Sequence, residues 1–237
     1  DYIIVAHNFG DVRAGTHITD MVPALASRVK HHLGIKNPLT IPYDLPFGCP
    51  GFLQGMIQAD YFIRSGDASR ALIIGAETLS RVSDPHDRDS MIYADGAGAV
   101  ILESIRSGLP AGILAHYSES YTRSEAFALQ MGQSNRTGHS QNDLFLKMQG
   151  RKVYELALKI VPLVIGKSLD KAGVTLDEVD KILIHQANHK MDEAIVRQLY
   201  KLYSERQPPE KIMPMTISWL GNTSVATLPT LYDLLVN

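Results

Sequence analysis

Cys49 is the only cysteine in the chain, and it stands in the stretch Tyr43-Asp44-Leu45-Pro46-Phe47-Gly48-Cys49-Pro50-Gly51-Phe52-Leu53. Ahead of it, residues 39–45 form a short run entered and left through prolines, the pattern of a buried strand. Behind it, Phe52, Met56, Ala59 and Ile63 recur at helical spacing, and Pro50 suits a first helical turn. The spacing sets Cys49 at a strand-to-helix corner, beside the unpaired N–H groups and positive dipole end of a helix. That setting favours thiolate over thiol and makes the sulfur nucleophilic. A lone cysteine is also often buried and inert, so a site here needs a base and an oxyanion stabiliser as well.

The elements around this corner alternate. Residues 2–6 read as a strand and 18–33 as a helix with Met21, Leu25, Val29 and Leu33 on one face. The run 39–45, the Cys49 corner and a helix to Arg64 follow. Residues 71–75 are a buried strand, 84–89 a polar loop, and 98–103 the last strand of the first half. A second half begins near Gly112. Residues 118–149 are polar and weakly patterned, helical spacing resumes at Val153 with Pro162 inside it, and 179–185 read as a strand. Residues 190–203 read as a helix, 212–219 as strand-like and 224–235 as helical. Strands interleaved with helices imply a layered α/β architecture.

The halves, 1–110 and 111–237, echo each other. Asp1-Tyr2-Ile3-Ile4-Val5-Ala6-His7-Asn8 resembles Asp180-Lys181-Ile182-Leu183-Ile184-His185-Gln186-Ala187-Asn188, and each leads into a helix. Each half then offers a strand, a tight corner and a second helix, the corner carrying Cys49 in one and Gly221-Asn222-Thr223-Ser224 in the other. Duplication of this kind brings equivalent strand ends together and directs Cys49, His185 and Asn222 to one pocket. Cysteine, histidine and asparagine suit acyl transfer: a thiolate takes up the acyl group, and two donors stabilise a carbonyl oxygen as it gains charge.

The bulk composition fits this reading. The 237 residues suffice for one large or two small domains. Hydrophobic and charged contents of 45% and 20% are those of a soluble globular protein. A net charge of −2 argues against general nucleic-acid binding. One cysteine fits a reducing, cytoplasmic setting without disulfides, and no apolar run approaches a membrane span. The chain opens directly on a core strand and stops on an apolar helix, so both ends read as cut and a piece of a longer protein is expected.

Four stretches together resemble the 3-oxoacyl-[acyl-carrier-protein] synthase III group of condensing enzymes. They are Gly48-Cys49-Pro50-Gly51-Phe52; Gly75-Ala76-Glu77 through Asp84-Pro85-His86-Asp87-Arg88 to Asp95-Gly96-Ala97-Gly98-Ala99; His185-Gln186-Ala187-Asn188; and Gly221-Asn222-Thr223-Ser224-Val225-Ala226-Thr227-Leu228-Pro229. The resemblance implies a thiolase-like layered αβαβα fold of two pseudo-duplicated halves, here incomplete at both ends. It implies Cys49 as the nucleophile that takes an acyl primer from coenzyme A. His185 and Asn222 would promote decarboxylation of malonyl-acyl carrier protein. Arg88 would meet the coenzyme A adenine, and Gln186, Lys190 and Arg197 the acyl carrier protein. The family is homodimeric and uses no resident cofactor or metal. Thiolases need a second cysteine that this chain lacks, and the elongating condensing enzymes carry histidine where Asn222 stands. Plant-type polyketide synthases share Cys-His-Asn and stay open as an alternative. So do acyl transfer to an oxygen or nitrogen acceptor without decarboxylation, and a non-catalytic partner subunit, which the retained cysteine argues against.

The chain departs from the group at Pro46-Phe47-Gly48 and Pro50 around the cysteine, at Tyr93-Ala94, and in the added loop Gln207-Pro208-Pro209-Glu210. The glycine-rich loop that supplies the group's second oxyanion donor lies beyond the sequence, so activity is expected of the intact parent. The other histidines show no metal-ligand spacing. Asp84, Asp87 and Asp89 read as a capped polar loop rather than a cation site, and Asp95-Gly96-Ala97-Gly98 as glycines for close backbone packing. Trp219 reads as core or tunnel lining.

Overall fold

The computed structural model describes residues 1–140, 142–204 and 206–236; Asn237, the last residue of the expected second half, lies outside them. In chain order the elements are β1 (Tyr2–His7), β2 (Asp11–Val12), β3 (Thr19–Asp20), α1 (Leu25–His32), β4 (Ile41–Pro46), α2 (Gly51–Ser65), β5 (Arg70–Thr78), β6 (Asp95–Glu103), β7 (Leu129–Gly132), β8 (Phe145–Met148), α3 (Gly150–Ala172), α4 (His189–Tyr203), α5 (Ile217–Leu220) and α6 (Thr227–Val236). Two compact units result. One comprises Asp1–Val82, Tyr93–Leu109 and the chain from Leu220 onward; the other comprises Ser83–Ile92 and Pro110–Trp219. The expected halves divide at residue 110 instead. The structure assigns 83–92 to the second unit and returns the Asn222 segment to the first.

The first unit is built on a sheet of order β4-β1-β5-β6, with β1 parallel to β4 and β5, and β6 antiparallel to β5. Residues Ile3 to Ala6 of β1 are all buried, as a central strand covered on both faces requires. The two-residue period sends Ile3, Val5, Leu72 and Ile74 toward Ala26 and Val29 of α1. It sends Ile4, Ala71 and Ile73 toward Phe52 and Ala59 of α2, where Leu228 of α6 joins them. Helix, sheet and helix thus form three layers, and the β4–α2 corner opens at the carboxyl ends of the parallel strands.

The expected helix over 18–33 is helical only in α1. Residues 19–20 pair with 11–12 instead, and Arg28 bridges that hairpin through Asp11 at 3.1 Å and Asp20 at 3.0 Å. Met21 therefore lies outside the helix.

In the second unit α3 packs along α4 around Leu176, Val196, Leu199, Tyr200 and Ile212. Pro162 is accommodated within α3. Two stretches expected as strands are not strands. Residues 179–185 form no strand; Ile182 N–H donates to Ile212 C=O at 2.8 Å. A strand needs a ladder, and one bond does not make it. Residues 212–219 turn instead around the buried Gln186 carboxamide, which accepts from Thr216 N and Ile217 N at 2.8 Å each and donates to Pro214 O at 2.9 Å. Trp219 is 64% exposed rather than core. The polar loop after Ser83 is tied down by charge. Asp84 is fully buried and bonds Lys147 Nζ at 2.6 Å, Asn135 N at 2.7 Å and Ser134 Oγ at 2.9 Å, and Asp87 shares Lys147 at 2.8 Å. Among the described residues no helix is long and apolar enough to cross a membrane.

Candidate active site

The corner that carries Cys49 is shaped by its neighbours. β4 ends at Pro46, Phe47 N donates to His7 O at 3.0 Å, and Gly51 N closes a turn onto Gly48 O at 2.7 Å. Pro50 is the N-cap of α2, so a helix of 15 residues points its positive end toward the cysteine. Gly51 lets α2 begin hard against the sheet, since a Cβ there would lie 3.3 Å from Ala6 Cβ and 3.4 Å from Val225 Cγ1. Cys49 is half-buried, and the Ser224 hydroxyl donates to its sulfur at 3.4 Å.

Asn222 reaches the same unit from the far end of the chain. Gly221 adopts a left-handed backbone at φ 69°, and Asn222 O accepts from Ala94 N at 3.0 Å beside an isolated bridge to Tyr93. The segment then lies on the sheet over glycines. A Cβ on Gly75 would fall 2.3 Å from Val225 O, one on Gly96 3.0 Å from Thr223 Cβ, and one on Gly98 2.8 Å from Pro229 Cβ. This is the close packing expected of 95–98. Asn222 is buried, and its Oδ1 accepts from Ser224 N at 2.9 Å. That bond fixes the amide's rotation, with Oδ1 as its acceptor end.

Behind Ser224 stand two further polar residues. Asn8 Nδ2 donates to Ser224 Oγ at 2.9 Å and also to Glu77 Oε2, which accepts from Asn8 N at 2.7 Å. Burial raises the Glu77 carboxyl above the ordinary carboxylate range, while its bonds from Asn8 oppose the rise. Deeper still, His7 accepts from Gly10 N on Nδ1 at 2.9 Å, which places its proton on Nε2, 3.3 Å from Asp44 Oδ2. That is an ion-pair distance without the alignment of a hydrogen bond. Asp44 in turn accepts from Leu25 N and Ala26 N at 2.8 Å each and so caps α1.

The other expected site residues belong to the second unit. His185 is half-buried at the end of the 179–185 stretch, and Asn188 caps α4 by accepting from Met191 N at 3.2 Å. Asp192, in the first turn of α4, is fully buried and interacts electrostatically with His185. Arg88 is exposed at the start of a short turn of helix over 88–92. Lys190 and Arg197 are exposed on α4, and Arg197 lies 3.4 Å from Glu193. The buried face of α4 is Met191, Asp192, Ile195, Val196, Leu199 and Tyr200, while Leu202 is 47% exposed. Gln186, expected to meet a carrier protein, has no exposed surface and spends its carboxamide on 214–217, so its work is internal.

The structure therefore joins Cys49 and Asn222 through Ser224 within one unit. Sequence reading gave no role to Asn8, Glu77, Ser224 or Asp192. Glu77 and Ser224 lie inside the stretches that carry the family resemblance, so the signal was present, but only the fold shows that they meet.

The chain matches the family model for 3-oxoacyl-[acyl-carrier-protein (ACP)] synthase III over residues 43–118 and that for its C-terminal part over 169–237. It is 32% identical over 227 residues to the beta-ketoacyl-[acyl-carrier-protein] synthase III of Alkalilimnicola ehrlichii, a match covering 94% of this chain and 67% of that protein. It is 34% identical over 217 residues to the enzyme of the same name from Prochlorococcus marinus, covering 88% of this chain and 61% of that protein. The chain thus spans about three fifths of that relative's length. Among solved structures it resembles the beta-ketoacyl-[acyl carrier protein] synthase III of Thermus thermophilus, with a TM-score of 0.82 and 27% identity over 100% of this chain and 68% of that one. With its cysteine corner, its buried asparagine and these matches to both parts of the family, the chain belongs to the 3-oxoacyl-[acyl-carrier-protein] synthase III family of thiolase-fold condensing enzymes.

Proposed function

We propose that the protein carrying this chain condenses an acyl thioester primer with malonyl-acyl carrier protein in fatty acid or related lipid or polyketide synthesis. The observation that supports this reading is the Cys49 sulfur at the head of α2, hydrogen-bonded by Ser224 two residues from the buried Asn222. The thiolate attacks the carbonyl of an acyl-CoA; the carbon–sulfur bond to coenzyme A breaks, and the acyl group stays on Cys49. Malonyl-acyl carrier protein then loses carbon dioxide, and the freed electron pair forms an enolate whose oxygen takes hydrogen bonds from His185 and Asn222. The enolate carbon attacks the acyl carbonyl on Cys49. Collapse of that adduct breaks the carbon–sulfur bond, returns the thiolate and releases 3-oxoacyl-acyl carrier protein.

Arg88 meets the coenzyme A adenine in this reading. Lys190 and Arg197 meet the acidic carrier protein, beside a shallow groove lined by Leu158, Ala194, Arg197, Gln198 and Lys201. Among the described residues β6 ends the sheet, and its edge is the one we assign to a second copy in a homodimer. The chemistry needs no resident cofactor or metal, both thioesters being substrates, and it suits a cytoplasmic enzyme.

Intact-mass measurement of the protein with a panel of acyl-CoAs tests the first step. A mass gain equal to the acyl group, absent in Cys49→Ala, is expected; no gain with any thioester overturns the reading. Carbon dioxide release from malonyl-acyl carrier protein then separates condensation from plain transfer to an oxygen or nitrogen acceptor.

A further inference from the structure

We propose that Ser224 is the hydroxyl donor that holds the Cys49 sulfur as a reactive thiolate, and that Asn8 and Glu77 are positioning residues that aim it. The inference deepens the condensing-enzyme reading, since it assigns the group that prepares its nucleophile. Four observations converge on Ser224. Its Oγ lies 3.4 Å from Cys49 Sγ as donor and 2.9 Å from Asn8 Nδ2 as acceptor. Its N–H is given to Asn222 Oδ1. Its backbone stands at φ 53°, the only non-glycine residue among those described with a positive φ. An L-residue held in that region is under strain, and such residues gather at functional sites because the surroundings must over-determine them.

The bonding leaves Ser224 one choice. With Oγ accepting from Asn8, the hydroxyl proton is directed to the sulfur. A hydroxyl that accepts one bond is also a stronger donor in the next. Asn8 cannot turn away, because Glu77 takes both its backbone N–H and its Nδ2. Glu77 is anchored in β5, 4% exposed, with Oε1 buried and unbonded. Residues 8, 77 and 224 come from three separate parts of the chain, so the chain of bonds exists only in the folded unit.

The test uses the fact that Cys49 is the only cysteine. The rate of alkylation by iodoacetamide against pH reports its ionisation alone, without any assumption about the acyl substrate. Ser224→Gly removes the hydroxyl while suiting the left-handed backbone, so it keeps the fold and melts no lower than the parent. The alkylation midpoint should rise by about one pH unit in this variant and in Ser224→Ala, with neutral-pH alkylation slowed up to about tenfold, as a bond to a charged acceptor implies. Asn8→Ala should shift it in the same direction, and the Asn8→Ala/Ser224→Gly double variant no further than Ser224→Gly alone. A folded Ser224→Gly protein with an unmoved midpoint overturns the proposal, and so do additive shifts in the double variant. If the midpoint rises but no acyl-CoA loads Cys49, the proposal stands and the condensing-enzyme reading falls.

Discussion

Asp192 lies in the first turn of α4 with no exposed surface, and neither carboxylate oxygen makes a hydrogen bond of ordinary geometry among the described residues. Burial pushes its pKa from 3.8 up to about 7, against the opposing pull of His185 and of the nearby Asn188 amide. The folded protein therefore holds this proton more tightly than the unfolded chain does. The stability this contributes is fully present below pH 3.8 and drains away as pH rises toward 7. At about 1.4 kcal/mol per unit, the upper bound is about 4 kcal/mol, of which about 2–3 falls between pH 5 and 7. Asp192→Asn keeps the shape and removes the ionisation. Urea unfolding of both proteins from pH 4 to 8 gives the comparison, because the titrating groups not coupled to Asp192 are common to the two and cancel in the difference. The variant should gain on the parent by about 2–3 kcal/mol between pH 5 and 7, whatever constant offset its buried amide introduces. Parallel stability curves across that window would refute the reasoning, since they would mean that Asp192 ionises in place at no cost.

Lys147→Met strands the buried Asp84 carboxylate and should cost about 3 kcal/mol in urea unfolding at neutral pH. Burial alone would raise the Asp84 carboxyl, but Lys147, Asn135 N, His86 N and Ser134 hold it far below the ordinary range. Its stabilising share is therefore present above pH 3.8 and is lost on acidification below it, and that acid-sensitive share should shrink in Lys147→Met. Gly75→Ala puts a methyl 2.3 Å from Val225 O, a backbone atom that cannot swing aside, and should cost about 2 kcal/mol or more by thermal melting. Asp44→Ala uncaps α1 and should lose about 1–2 kcal/mol, with amide exchange rising first at Leu25 and Ala26; unchanged protection there would count against the cap.

The elements that sequence reading places well are those whose own residues decide them. β1 and β5 are continuous apolar runs, and the Cys49 corner is punctuated by Pro46, Pro50 and Gly51. The helical reading of 190–203 places the start of α4 within a residue and its end at Tyr203. The misreadings share a different cause. Residues 179–185 and 212–219 have strand-like composition, but a strand is a property of two segments, and Gln186 bends the second away from a ladder. The family resemblance sends Gln186 to a carrier protein, and its residue type does not tell a solvated amide from one that stitches buried backbone. Thr19 and Asp20 join a hairpin because Arg28 and Asp11 hold it there, a choice made by charges outside the local window. Asn8, Glu77 and Ser224 escape for the same reason: chemistry that depends on three distant residues meeting is invisible until the sheet brings them together.

Gly75, Gly96 and Gly98 give this site an unusual tolerance map. The height of the Asn222–Ser224 segment above the sheet is set by atoms that are missing, so the least replaceable positions are those with the least chemistry of their own. A mutational library that spares polar residues and randomises small ones would displace this segment without touching one of its hydrogen-bonding side chains.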